Sequence, residues 1–375
     1  MARNRVIYQS EALYVSNDIN STTETAHAQL ERVQSANYSF TINRQDINQY
    51  GQAARIDTIV MDSPTVSLDF SYYLTDGFNE RALGFYVGTG TNATSGQFAS
   101  GHMLQSPGKN FFITTVDEGE DAKGTNGNDI KGIIGLGNAF LSDYTLDLAV
   151  GSLPTVSVSM ECANINSSVD AAISGTGDGI SGIDNPAVDI TNGQELTTNI
   201  VLPEYSTGLS QITALRPGDI TVDITALDGV ALSDLTGPDE EDAIHIQSVS
   251  LSVPLSRSPL QRLGTRFAYA RTVDFPVNVT VSVNAICNDI TAKNLATLLQ
   301  ETGGKDIVIT LKGEDGTSSK MKYHLKGCRL DSESFSSSIG SNKSVDLTFS
   351  TQIGGTNDTD NGLFVSGANQ SGVFS

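Results

Sequence analysis

The chain has 375 residues, 22 of them basic and 43 acidic, which gives a formal net charge of −21. At ~100–200 residues per domain, this length implies two or three domains. With 38% hydrophobic and 17% charged residues, the composition excludes a charge-rich disordered chain and a coiled coil. The shortage of Lys and Arg argues against a grip on nucleic-acid phosphates.

Cys162, Cys287 and Cys328 are too few and too odd in number for a disulfide framework. They are expected to be reduced thiols, with folding in a cytoplasm. Residues 1–10 show no apolar signal-peptide core, and no run approaches the ~18 apolar residues of a membrane span. No membrane association is expected.

Along the chain, apolar residues alternate with polar ones at period 2. The first runs are Tyr38, Phe40 and Ile42, then Val66, Leu68, Phe70 and Tyr72. A helical pattern follows over 76–86, with Phe78, Ala82 and Phe85 on one side. Alternation returns at Val156, Val158 and Met160, at Ile220, Val222 and Ile224, at Val249 to Leu255, and at Val277 to Val283. A second helix is predicted over 292–301, with Thr291 as cap and Gly303 as stop. The last run is Val345, Leu347 and Phe349. Alternate side chains of a strand point to opposite faces, so each run is a strand with one buried and one polar face. The fold class is mainly β, an antiparallel sandwich or barrel.

The pattern repeats within the chain. At an offset of 213, Val33-Gln34-Ser35 falls on Ile246-Gln247-Ser248, Arg44 on Arg257, Ile47 on Leu260 and Gly51 on Gly264. Val66, Leu68 and Phe70 fall on Val279, Val281 and Val283 at the same offset. At an offset of 189, Leu141 falls on Leu330, and Val156, Val158 and Met160 fall on Val345, Leu347 and Phe349. Phe111-Phe112-Ile113 resembles Ile307-Val308-Ile309. The expectation is two copies of one β-sandwich or barrel module, each with a flanking helix. Copy one is expected at 1–162, an acidic β-rich insert or linker at 163–215, and copy two at 216–375. Residues 163–243 hold fourteen acids against Arg216 alone, or −13 of the total charge.

The sequence offers no catalytic or metal constellation. His27, His102, His245 and His324 stand in unrelated contexts, without metal-ligand spacing. There is no Gly-x-Ser-x-Gly elbow. Gly135-Leu-Gly137 lacks a third glycine and a βαβ setting. The acid-rich stretch 117–129 lacks the order of an EF-hand loop and reads as a solvated hairpin. No enzyme activity, cofactor or metal is expected. Arg44 and Arg257, at equivalent loop positions, are candidates for an inter-subunit ion pair. Asp46, Tyr50 and Arg262 join them as inter-subunit or inter-ring candidates.

The stretches Arg32 to Gly51 and Asp62 to Tyr72, within a duplicated β-module, resemble the tail tube proteins of long-tailed bacteriophages. The likeness is one of pattern and leaves out the acidic middle. It implies modules that build a continuous inner β-barrel, with three two-module chains forming a pseudo-sixfold ring. Rings of this kind stack into a hollow tube through which DNA passes. The implied partners are further copies of the chain, a tape measure protein and a tail terminator, with DNA only in transit. The implied location is the virion tail, after assembly in the host bacterial cytoplasm. A lumen should repel phosphate, which makes Asp69 a lumen-facing candidate. Two alternatives are a tail hub or baseplate ring and a non-viral β-sandwich adhesin.

Overall fold

The computed structural model describes residues 11–89, 96–103, 108–119, 121–122, 130–169, 174–176, 179–203, 215, 218, 220–224, 245–286, 303–313, 318–336, 342–355 and 357–368. The first half begins β1 (Glu11–Ser16), β2 (His27–Gln29), β3 (Val33–Thr41), β4 (Arg44–Ile47), β5 (Asp57–Val60) and β6 (Thr65–Tyr73). It continues α1 (Phe78–Leu83), β7 (Gly88–Thr89), α2 (Ser100–Met103), β8 (Lys109–Val116), β9 (Ile130–Ala149), β10 (Thr155–Cys162) and β11 (Asn164–Val169). Three short strands follow: β12 (Ser174–Thr176), β13 (Gly179–Asp184) and β14 (Asn199–Leu202). The second half has β15 (Ile220–Ile224), β16 (His245–Pro254), β17 (Arg257–Leu260), β18 (Ala270–Val273) and β19 (Asn278–Ile286). It ends with β20 (Lys305–Lys312), β21 (Ser319–Ser336), β22 (Ser344–Gln352) and β23 (Gly362–Gly367). The protein is mainly β, as its alternation requires. The predicted helix at 292–301, Cys287 and most of the 117–129 stretch lie outside the described residues.

Eight strands form one sheet in the order β3-β6-β10-β9-β16-β19-β22-β21. Its apolar face buries Leu68, Phe70, Tyr72, Leu146, Val158, Leu251, Val281 and Phe349. Two further layers pack against it. One is β2-β1-β8-β9-β11 and the other is β15-β20-β21-β23-β7. The long strands β9 and β21 run from an outer layer into the shared sheet, so each forms a corner of the sandwich.

Strand spans and pairing registers recur at fixed offsets. β3 to β6 map onto β16 to β19 at 213. The irregularity between Val33 and Ser35 in the β3–β6 ladder recurs between Ile246 and Ser248. At 189, Met160↔Leu141 maps onto Phe349↔Leu330, each beside a bulge. A bulge adds one residue and re-aims the strand, so its recurrence fixes equivalent twist in both halves. β1 against β8 has its counterpart in β15 against β20, and β11 against β9 in β23 against β21. The first half's pairing therefore runs on to Val169, past residue 162.

α1 lies where the first helix is predicted. Gly77 and Gly84 bracket it with φ of 97° and 99°, left-handed values that side chains resist. It buries Phe78, Ala82 and Leu83. Asn79 ties it to the sheet by accepting from the Glu31 amide at 2.9 Å and donating to the Glu31 carbonyl at 2.8 Å.

The segment between the halves is a folded cap. Leu13, Val15, Phe111 and Ile113 face the main core, while their neighbours Ala12, Tyr14 and Phe112 pack under Ile180, Ile183, Ile200 and Leu202. The β12–β14 sheet thus lies on the side of β1–β8–β9 away from the eight-stranded sheet. Three buried asparagines fix it. Asn138 accepts from the Val188 amide at 2.7 Å and donates to the Val188 carbonyl at 3.0 Å. Asn110 donates to Asn185, which donates to the Ile19 carbonyl. Gly137 permits the approach, because a Cβ there would stand 2.2 Å from the Pro186 carbonyl oxygen. We expect Gly137→Ala to cost about 1–3 kcal/mol through overpacking. Thermal unfolding and faster proteolysis within 186–196 would register it, and an unchanged melt with unchanged cleavage would refute it.

Candidate assembly interface

The join between the halves is a strand seam inside one chain. β9 pairs with β16 from Ala149↔Ser248 to Asp143↔Pro254. Leu146 stands opposite Leu251, both 0% exposed. Burying such a side chain stabilises by ~1.5–3 kcal/mol. Arg257 locks the seam from the side. Its guanidinium donates to the carbonyls of Leu141 at 3.0 Å, Arg271 at 2.9 Å and His102 at 3.1 Å. It also lies over the Phe140 ring, 5.2 Å from the centroid. Burial lowers its pKa to about 10, still far above neutrality. Arg271 pairs with Glu161 at 2.5 Å across the same join.

A hydroxyl cluster sits beneath the seam. The wholly buried Glu80 accepts from Tyr72 at 2.8 Å and from Tyr144 at 3.3 Å through Oε1. The hydroxyls of Tyr144 and Tyr323 are 2.9 Å apart, so residues of both halves meet there. Burial pushes the Glu80 carboxyl up to about 7, against the donors, which pull it down. Phe85 and Phe98 stack beside it at 4.0 Å, and each meets the Tyr144 ring in a T-shaped contact.

Among the described residues, the eight-stranded sheet ends on two open edges, β3 and the carboxyl half of β21. Both carry exposed aromatics on the side that is core elsewhere: Tyr38 at 43%, Phe40 at 59% and Phe335 at 44%. Unpaired strand edges are templates for another chain. The opposite face of the sheet is hydroxyl-rich and acidic. Ser159 donates to Asp69, Thr145 to Asp143, Ser250 to Asp147 and Asn284 to Asp346.

The predicted residues distribute unevenly. Asp69 is exposed on the polar face, as its alternation requires. Arg44 is exposed on β4. Asp46 is engaged within its own hairpin, with Arg55 at 2.9 Å and Thr58 at 3.2 Å. Tyr50 is fully exposed at the hairpin tip beside Gly51, whose φ is 89°. Arg262 donates to the Thr191 carbonyl of the cap. Arg257 departs from the expected inter-subunit ion pair: it is buried within the chain and bound to carbonyls, because the second half folds against the first. A cavity of about 510 Å³ lies between the β17–β18 arm and the cap, lined by Phe140, Val188, Ile190, Leu260, Phe267 and Tyr269 among others.

The sequence reading missed Glu80, Tyr144, Tyr323 and Phe335. Phe335 had a signal, an aromatic in a serine run where Leu146 stands at the offset of 189. The Glu80 cluster had none, since its members are far apart in sequence. Among the described residues no cluster of three or more His, Cys, Asp or Glu is placed to hold a metal ion. No helix there is long and apolar enough to cross a membrane.

No protein-family model matches the chain, and no curated protein matches it. Among solved structures the chain is similar to the tube-terminating cap of the anti-feeding prophage. The identity is 11% over 36% of this chain and 95% of that one, with a TM-score of 0.25, a value too low to define a shared fold.

Two expectations follow from this geometry. Arg257→Ala leaves three carbonyls without their donor and should cost about 1–3 kcal/mol. Arg44→Ala at the equivalent exposed site should change the isolated chain by less than about 0.5 kcal/mol. Urea unfolding compares the two, and equal effects would contradict the seam assignment. The second concerns pH. Glu80 titrates near 7 when folded and at the ordinary 4.5 when unfolded. Its contribution to stability is full below 4.5 and is lost as pH rises towards 7. Glu80→Gln should flatten that decline in urea midpoints, and an unaltered slope would exclude Glu80 as its source.

Proposed function

We propose that this chain is a structural subunit of a phage-type tail tube. Three copies close into a pseudo-sixfold ring, rings stack into a hollow tube, and DNA passes through the lumen. The role is structural rather than catalytic. Each ring has six modules, two from each of three chains: the first half as far as Val169, and residues 216–375. Its place is the virion tail, after assembly in the host cytoplasm, with tape measure and terminator proteins as further partners.

One observation carries this reading: the internal seam is a template for the two open edges. Shifting the β9–β16 register by 189 and 213 sets β21 of one copy against β3 of the next. Phe335 then faces Tyr38, as Leu146 faces Leu251 inside the chain. Ser336 faces Asn37, Ser334 faces Ser39 and Ser332 faces Thr41. Arg44 takes the place of Arg257, and the neighbour's Leu330 carbonyl that of Leu141. Such a contact is head-to-tail, and it ends in a ring when the rotation closes. Closure removes both edges and covers the exposed aromatics. The polar face, with Asp69, Asp143, Asp147 and Asp346, becomes the lumen wall. Fixed negative charge there keeps phosphates from sticking. The cap falls on the opposite side, outside the tube.

The test is the pair Tyr38→Cys with Phe335→Cys. Directly opposed strand residues have Cβ atoms ~4.5–5.5 Å apart, within adjustment of disulfide reach. Under oxidation we expect covalent trimers, with hollow rings in negative stain. A protein that stays monomeric at assembly concentrations and forms no intermolecular bond would overturn the reading.

A further inference from the structure

The two outer layers share a strand frame but not a surface. On the first, Tyr14, Phe112 and Ile133 lie buried under the cap. Their counterparts on the second are Asp223, Val308 and Lys322, by the equivalent pairings of β1–β8–β9 and β15–β20–β21. Lys320, Lys322, His324 and Lys326 alternate along β21 opposite the buried Met321, Tyr323 and Leu325. Lys312 on β20 shares their side, opposite the buried Leu311. Among the described residues of β15, β20 and β21, the acids on that face are Asp223 and Asp306, and Asp306 pairs with His324 at 3.2 Å. Lys326 lies over the Phe364 ring at 4.9 Å and donates to the Thr359 carbonyl. In a chain of net charge −21, this is a local reversal of sign.

The complementary surface is on the same chain. Residues 163–215, which include the cap, contain no lysine or arginine. Asp184 and Glu195 stand exposed on the cap. The cap is held on the first half by buried asparagines and an apolar core, so it does not cross to its own chain's lysine face.

We propose that the lysine face of β20–β21 receives the acidic cap of a second copy of this chain. Two copies at −21 repel at long range, and a lasting contact needs opposed local charge. The lysine row and the acidic cap supply it, in one orientation. Each exposed ion pair is weak alone, so the contact is made by the row as a unit and is screened by salt. This inference rests on the self-assembly proposed above but uses a surface apart from the strand edges.

The experiment is sedimentation velocity of the full-length protein between about 0.05 and 0.5 M salt, with negative-stain images of the same samples. The variants are Lys320→Glu/Lys322→Glu/Lys326→Glu, Asp184→Lys/Glu195→Lys, and the two sets combined. Either set alone should weaken low-salt association about tenfold or more, and the combination should restore it. Rings that persist in the separate variants while larger assemblies are lost would place the contact outside the ring seam. Charge-dependent association without rings would overturn the ring reading and leave this contact standing. Association unchanged by Lys→Glu would overturn this proposal. A combined variant no better than its parts would overturn it as well.

Discussion

The pairing of β9 with β16 is the interaction on which the rest of this structure depends. A sheet edge exposes a row of backbone donors and acceptors. Each half of the chain ends on two such edges, one at the β3 or β16 strand and one at the carboxyl half of β9 or β21. The seam joins one edge of each kind and leaves one of each kind open. It also buries Leu146 and Leu251 and draws Arg257 into a carbonyl cage. The chain therefore contains one solved example of the contact that its ends lack.

The seam also arranges the two faces of the molecule. One face of the shared sheet is core and the other is hydroxyl and carboxylate. The outer layers close the core from behind, and the cap closes one of them a second time. The first outer layer is thus buried on both sides, which explains its apolar residues on both alternations, such as Leu13 beside Tyr14 and Phe111 beside Phe112. In the second outer layer β20 and β21 alternate buried apolar residues with half-buried or exposed polar ones, lysines among them, while β23 is buried on both alternations. Where the halves converge, Glu80 and three tyrosines form a buried polar knot. A buried carboxylic acid is costly as an anion, so its burial ties the join to pH.

Much of this was legible in the sequence. Strands at 38–42, 66–72, 156–160, 249–255, 277–283 and 345–349 follow from alternation, because a pleated strand turns each side chain to the opposite face. The helix around Phe78 and Ala82 follows from its period, but it is shorter than the expected 76–86, because Gly77 and Gly84 bound it. The offset of 213 makes Arg44 and Arg257 equivalent, but their expected loops are the strands β4 and β17, each paired in a hairpin of the same register. Arg44 and Arg257 mark the limit. Their local sequences agree, yet one is exposed and the other buried, because burial depends on which half is folded alongside. Asp46 shows the same limit on a smaller scale. Its partner is Arg55 in its own hairpin, a pairing set by the turn rather than by neighbours in sequence.

By itself, the sequence determined the strands, the repetition, the excess of acid and the buried faces of the inner strands, but not that of β3, where alternation expects Tyr38, Phe40 and Ile42 to be buried and they are exposed. These are properties of local period and composition, and they survive any rearrangement of the halves. Only the tertiary structure decided that the halves share one sheet, that the insert is a cap behind the first outer layer, and that Arg257 lies inside. Alternation tells which side of a strand is buried but not what buries it. That depends on contacts between segments a hundred or more residues apart, such as Asn110 with Asn185, Arg257 with Leu141 and Tyr144 with Tyr323.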